Sequence, residues 1–143
     1  MASAHIYLNF LGNTEEAFNF YKSVLGGEFT NLQRFKDTDH GTQLPENDME
    51  KIMHISLPIG ANSILMATDA LESMGHTLTV GNNFSISIDA ESEEEANKIF
   101  KGLSKGGQVT MAMEKTFWGA YFGMFTDKFN IQWMVNYDYK PKE

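Results

Sequence analysis

The chain has 143 residues, a formal charge of -8 and no cysteine. That length suits one domain able to bury a core without covalent staples, and the missing thiols exclude disulfides, thiolate metal centres and a cysteine nucleophile. The 11 Lys and Arg residues are scattered among 19 acids, so the chain lacks the basic face of a nucleic-acid binder, and solubility accounts for the charge.

Met1, Ala2, Ser3, Ala4 and His5 make no basic, apolar leader, and no later stretch approaches the roughly 20 apolar residues of a membrane span. A cytoplasmic protein without membrane contact is expected. Residues 5–10 then alternate, with Ile6, Leu8 and Phe10 to one side and His5, Tyr7 and Asn9 to the other, as a half-buried strand does.

Residues 13–27 follow as a helix. Ala17, Phe20, Tyr21 and Val24 recur at helical spacing, Glu15 and Glu16 fill the first turn, and Asn13 with Glu16 has capping-box spacing. Gly26 and Gly27 supply the left-handed residue that ends a helix. Strands are predicted at 28–35, 51–58 and 63–68. Between the first two, residues 36–50 contain Gly41, Pro45 and many polar side chains, a loop long enough to be functional or mobile.

Beyond a connection at about 71–82, the pattern starts again. Phe84, Ile86 and Ile88 oppose Asn83, Ser85 and Ser87, and residues 93–107 repeat the first helix about 79 positions later. Glu94, Glu95 and Ala96 match Glu15, Glu16 and Ala17. Ile99 and Phe100 match Phe20 and Tyr21, and a second Gly-Gly follows at 106–107. Ser92 with Glu95 again has capping-box spacing. Strands at 108–115, 118–126 and 131–137 complete a second β-α-β-β-β unit. The expected fold is therefore α+β, a single domain over 1–143 with one module at about 1–70 and the other at about 83–137, the two copies sharing one core because a lone copy cannot cover its apolar face.

With helices on the apolar side, the opposite side carries His5, Tyr7, Asn9, His54, Ser56, Asn83, Ser85 and Ser87, joined by Gln132, Met134 and Asn136, with Trp118 a further pocket candidate. This lining contains no formal charge and suits a pocket for a small organic molecule; a solvated groove or a subunit interface would use the same residues. Phe117, Trp118, Tyr121, Phe122, Phe125, Phe129 and Trp133 form an aromatic cluster whose ordinary use is core and dimer packing. His40 and His76 fall in loop-like sequence and are expected to be solvent groups.

The repeat, together with Tyr-Leu-Asn-Phe at 7–10, Ala-Phe-Asn-Phe-Tyr at 17–21, Lys-Ile-Met-His at 51–54, Thr-Phe-Trp-Gly-Ala-Tyr-Phe-Gly at 116–123 and Thr-Asp-Lys-Phe-Asn-Ile-Gln-Trp-Met-Val-Asn at 126–136, resembles the PhnB-like branch of the glyoxalase/bleomycin-resistance/dioxygenase (vicinal oxygen chelate) superfamily. The resemblance spans nearly the whole chain. It implies paired β-α-β-β-β modules forming a curved, roughly eight-stranded mixed sheet, helices on the convex side, a pocket on the concave side, and usually a homodimer.

The resemblance also implies where a metal would sit: relatives that use one draw ligands from positions matched by His5, His54, Asn83 and Met134. A glutamate typically holds the last place, and a thioether neither binds Zn, Ni or Mn well nor moves a proton. Two imidazoles without a carboxylate fall short of the usual ligand count, so no cofactor and no catalytic residue is assigned. Any divalent metal would rest on His5 and His54, completed by Glu46, Glu50 or Glu114 from elsewhere. Some members of the branch carry a demethylubiquinone methyltransferase label, yet the chain has no strand-to-helix Gly-x-Gly turn to cradle a nucleotide-like cofactor. Three readings follow: a metal-free small-molecule binder, a metal-dependent lyase, isomerase or dioxygenase, and an interaction protein that uses its aromatic half to dimerise.

Overall fold

The computed structural model describes residues 1–38 and 43–139. The chain divides into two compact units, Met1–Thr79 and Val80–Glu143. Among the described residues the eight expected strands are all present, shared equally between two four-stranded mixed sheets.

In the first unit, β1 (Ile6–Phe10), α1 (Thr14–Leu25), β2 (Asn31–Arg34), the short α2 (Glu46–Met49), β3 (Ile52–Ile59) and β4 (Ser63–Asp69) give sheet order β1-β4-β3-β2. β1 runs parallel to β4, and the other pairings are antiparallel. Leu8, Phe10, Ile55, Leu57, Leu65 and Ala67 are buried on one face, and each of the leucine, isoleucine and phenylalanine side chains taken from water contributes about 1.5–3 kcal/mol. The stripe α1 buries is Thr14, Ala17, Phe18 and Tyr21, one position round from the predicted one, so that Phe18 meets Phe10 edge-on while Phe20 is half-buried. Both stripes obey the 3.6-residue period, and contact with the sheet decides between them.

The predicted Asn13 cap does not form; its side chain makes no capping bond. A carboxylate 56 residues downstream takes the role, since Asp69 Oδ1 accepts hydrogen bonds from the Gly12 and Thr14 amides, both at 3.0 Å, and from Thr14 Oγ1 at 2.6 Å. Asp69 Oδ2 accepts from the Ile52 amide at 2.8 Å. One buried acid thus ties the start of α1 to the start of β3 and the end of β4. The predicted loop at 36–50 is partly structured by a 3-10 turn, Phe35–Asp37, and by α2. At its base Arg34 grips Glu15 with two bonds of 2.9 and 2.7 Å, and Lys36 binds Glu50 at 2.6 Å. Gly41 lies outside the described residues.

The second unit repeats the design with β5 (Ile86–Asp89), α3 (Glu93–Ser104), β6 (Gln108–Lys115), β7 (Ala120–Thr126) and β8 (Gln132–Asp138), in order β5-β8-β7-β6. Here the cap forms: Ser92 Oγ accepts from the Glu95 amide at 3.0 Å, and Glu95 reaches back to the Glu91 amide at 2.9 Å. Ala96, Ile99 and Leu103 are buried, and Phe100 meets Phe125 edge-on at 5.2 Å.

The second Gly-Gly has two separate causes. Gly106 adopts φ +81°, whereas a Cβ on Gly107 would collide with the Thr126 carbonyl oxygen. The aromatic cluster divides: Trp133 and Phe125 are buried, but Phe117 and Trp118 on the turn before β7 are 97% and 59% exposed.

Candidate functional site

Strand register defines the face of each sheet that its helix leaves open. In the first sheet Tyr7 pairs with Met66 and Asn9 with Thr68, Ser56 pairs with Met66 and with Asn31, and His54 pairs with Gln33. Alternation thus sets Tyr7, Asn9, His54, Ser56, Met66 and Thr68 on one side.

Three of these side chains join in a chain of hydrogen bonds. The Tyr7 hydroxyl lies 3.3 Å from His54 Nδ1, and His54 Nε2 lies 2.9 Å from Ser56 Oγ. Burial pushes the Tyr7 hydroxyl above the usual phenol range, and a hydrogen bond with Thr68 draws it partly back. Both ring nitrogens of His54 are therefore engaged, one donating and one accepting while the ring is neutral. A metal at either nitrogen must displace Tyr7 or Ser56. His5 stands just ahead of β1, exposed, with Ser3 Oγ 3.5 Å from its Nε2.

In the second sheet Ser87 pairs with Met134 and Asp89 with Asn136, while Met124 pairs with Met134 and Phe122 with Asn136. The Asn136 amide donates to Asp89 at 3.3 Å and to Asp138 at 3.1 Å. This open face corrects the expectation of an uncharged lining: Asp89 lies two residues beyond Ser87, and Glu114, paired with Phe122, belongs to it as well. Asn83, Phe84 and Ser85 precede β5 instead of extending it. Phe84 is 54% exposed, against its expected place in the core, and its carbonyl accepts from the Gln132 side-chain amide. Trp118 falls outside β7, in the turn, packed edge-on at 5.0 Å with Phe117 and 6.2 Å from Phe122.

The remaining titratable groups have local work. His76 is exposed, as expected, and accepts a hydrogen bond from the Leu71 amide at its Nδ1, 3.0 Å away, which steadies the turn after β4; His40 lies outside the described residues. Glu50 is engaged by Lys36 and Arg34, Glu46 opens α2, and Glu114 is on β6. Among the described residues no three or more His, Asp or Glu side chains gather as a metal-holding group, and no helix is long and apolar enough to cross a membrane.

Sequence reasoning missed three aspartates. Asp69 is described above. Asp127 accepts from the Phe129 amide at 2.8 Å, the Ile131 amide at 3.0 Å and Trp133 Nε1 at 2.8 Å. Asp48 accepts from Lys51 at 2.8 Å and Ser73 at 2.6 Å, and these bonds hold its carboxyl below the usual range. All three are buried, Asp69 and Asp127 at strand ends and Asp48 within α2, and acidic residue type alone does not reveal it.

Residues 2–136 match the family described as 3-demethylubiquinone-9 3-methyltransferase. Protein YjdN of Escherichia coli (strain K12) is 32% identical over 141 residues, covering 91% of each chain. The solved structure of protein PA1353 from Pseudomonas aeruginosa is 38% identical, with a TM-score of 0.84 over 96% of this chain and 98% of that one. A PhnB protein from Bacillus cereus, named as a putative 3-demethylubiquinone-9 3-methyltransferase, shares the fold at 23% identity and a TM-score of 0.76, covering 95% of this chain and 99% of the other. So does a glyoxalase/bleomycin resistance protein/dioxygenase family enzyme from Burkholderia phytofirmans, at 19% identity and 0.62, over 95% and 100%. The chain belongs to the family whose model it matches over residues 2–136, a PhnB-like family, and it shares its fold with proteins named for the glyoxalase/bleomycin resistance/dioxygenase group.

Proposed function

We propose that this protein binds a small organic molecule on the open face of its first sheet and does so without a catalytic metal. The observation that carries the reading is the Tyr7–His54–Ser56 chain, whose members satisfy one another and still present polar atoms on the open side. His54, one of the two imidazole ligands suggested by the sequence, is already committed at both nitrogens, whereas a metal ligand keeps one nitrogen for the ion. Asn9 lies on the same face of the first sheet; the second sheet offers a polar set of its own in Gln132, Met134 and Asn136, with Asn83, Ser85 and Trp118 as further candidates. Neutral donors and acceptors orient a ligand, and thioether and aromatic surface supplies contact area. We take the protein to act in the cytoplasm as a homodimer, with exposed Phe117 and Trp118 suited to a protein contact.

A library of small aromatic and amphipathic compounds, screened by thermal shift, tests the reading, because a ligand that binds only the folded state raises the melting temperature. Hits are expected to lose at least tenfold in affinity in Tyr7→Phe and His54→Ala. Silence across the library, or hits that bind both variants as well as the parent, would refute it. Stoichiometric divalent metal in protein purified without chelator, lost in His54→Ala, would overturn the metal-free reading in favour of a metal-dependent lyase, isomerase or dioxygenase.

A further inference from the structure

The second sheet carries an arrangement that the hydrogen-bonding site does not explain. Register sets Met111 opposite Met124 and Met124 opposite Met134, so three thioethers stand in one row across β6, β7 and β8 on the open face. Plain alternation does not produce this row, since Met111 and Met113, two apart, would share a face. A register break between Met111 and Glu114 separates them. Met113 turns to the helix side, where a Cβ on Gly123 would stand 2.7 Å from its sulfur, and Met111 stays in line. Bulges commonly re-aim a side chain in this way.

The surrounding charge has one sign. Asp89, Glu114 and Asp138 occupy paired positions on the same face; Lys115 pairs with Tyr121, one residue out of phase, and points to the other. Met111 is 47% exposed, and Met124 and Met134 are half-buried, so the sulfurs are within reach of solvent. Neutral, polarizable sulfur donors with acids along one side of the row favour a soft cation of low charge. Thioethers select Cu(I) over Zn, Ni or Mn, and Ag(I) has the same preference without redox chemistry. Adjacent strands are about 4.8 Å apart, and a side chain with three rotatable bonds lets the outer two methionines lean over the middle one.

We propose that Met111, Met124 and Met134 form a three-thioether site for a soft monovalent cation, Cu(I) or its surrogate Ag(I). The site does not rest on the small-molecule reading: that reading is carried by the first sheet, and of these three residues it uses Met134 alone.

The test is a titration of chain labelled with 13C at the methionine methyl groups, using silver nitrate in chloride-free buffer. Of nine methionine methyl signals, those of Met111, Met124 and Met134 are expected to shift together and saturate at one Ag(I) per chain. The triple variant Met111→Leu, Met124→Leu, Met134→Leu keeps volume and apolarity and is expected to weaken Ag(I) at least a hundredfold, whereas Met74→Leu leaves binding intact. Absent shifts, shifts spread over other methionines, or equal binding by the triple variant would overturn the proposal. If the triple variant does not fold, the methyl shifts of the parent chain decide. A chain that takes up one Ag(I) yet ignores every organic compound keeps this site and loses the other reading, and the reverse outcome does the opposite.

Discussion

Removing the Asp69 carboxylate should be the most damaging single polar change in the first unit. Its side chain accepts four hydrogen bonds, and the donors on Thr14 and Ile52 are buried. A buried donor left without a partner costs about 1–3 kcal/mol; water entering the vacated space satisfies some of them, so Asp69→Ala is expected to cost about 3–5 kcal/mol. For a chain of this size that corresponds to a fall in Tm of roughly 10–20 °C. Asp69→Asn keeps Oδ1 but turns an amide donor toward the Ile52 N–H, for about 2–3 kcal/mol. Urea unfolding followed by circular dichroism measures both. In a double-mutant cycle Thr14→Ala should cost much less on the Asp69→Ala background than alone, because the two share a 2.6 Å bond. A loss below about 1 kcal/mol for Asp69→Ala would show that the carboxylate does not hold α1, β3 and β4 together.

Asp48 gives a pH test. Its folded-state carboxyl is depressed by Lys51 and Ser73, so its stabilisation is fully present above the unfolded Asp value of about 3.9 and is lost as pH falls through the lower folded value; the stability gap between parent and Asp48→Asn, measured by urea midpoints, should close on acidification below about pH 4. Gly107→Ala and Gly119→Ala separate steric from conformational cost. The first drives a methyl into the Thr126 carbonyl and should lower stability by about 3 kcal/mol or prevent folding. The second meets open space at φ +90° and should cost about 1–2 kcal/mol. Of the two tryptophans, Trp118 is exposed and Trp133 buried, so acrylamide should quench native fluorescence strongly in the parent and weakly in Trp118→Phe; equal quenching would contradict the exposed turn.

Elements dominated by local pattern were legible in the sequence. β6 occupies the predicted residues, and both helices were found from apolar spacing and acidic first turns. What escaped depended on distant partners. The choice of Phe18 over Phe20 for the core is made by Phe10 and the sheet, and the capping of α1 by Asp69 joins residues more than fifty positions apart. β5 begins at Ile86 because residues 83–85 have no partner strand, although their alternation is as good as that of the strand itself. Parity was enough to group Tyr7 with Asn9 and His54 with Ser56, whereas the tyrosine-to-histidine bond needs the register of three strands. The same parity sets Asp89 two places beyond Ser87, so its charge belongs in any reading of that face.

The outer position of β6 has a consequence for behaviour at high concentration. This strand forms one margin of its sheet and shows Val109 and Met111 to solvent, a surface on which a stray chain would readily begin a fibre. Two interruptions in its pairing, flanking Met111, twist the peptide groups out of a continuous row, and Glu114 and Lys115 set charge beside them. A straightened margin would invite polymerisation; the kinked one denies a stray strand a continuous row of donors and acceptors.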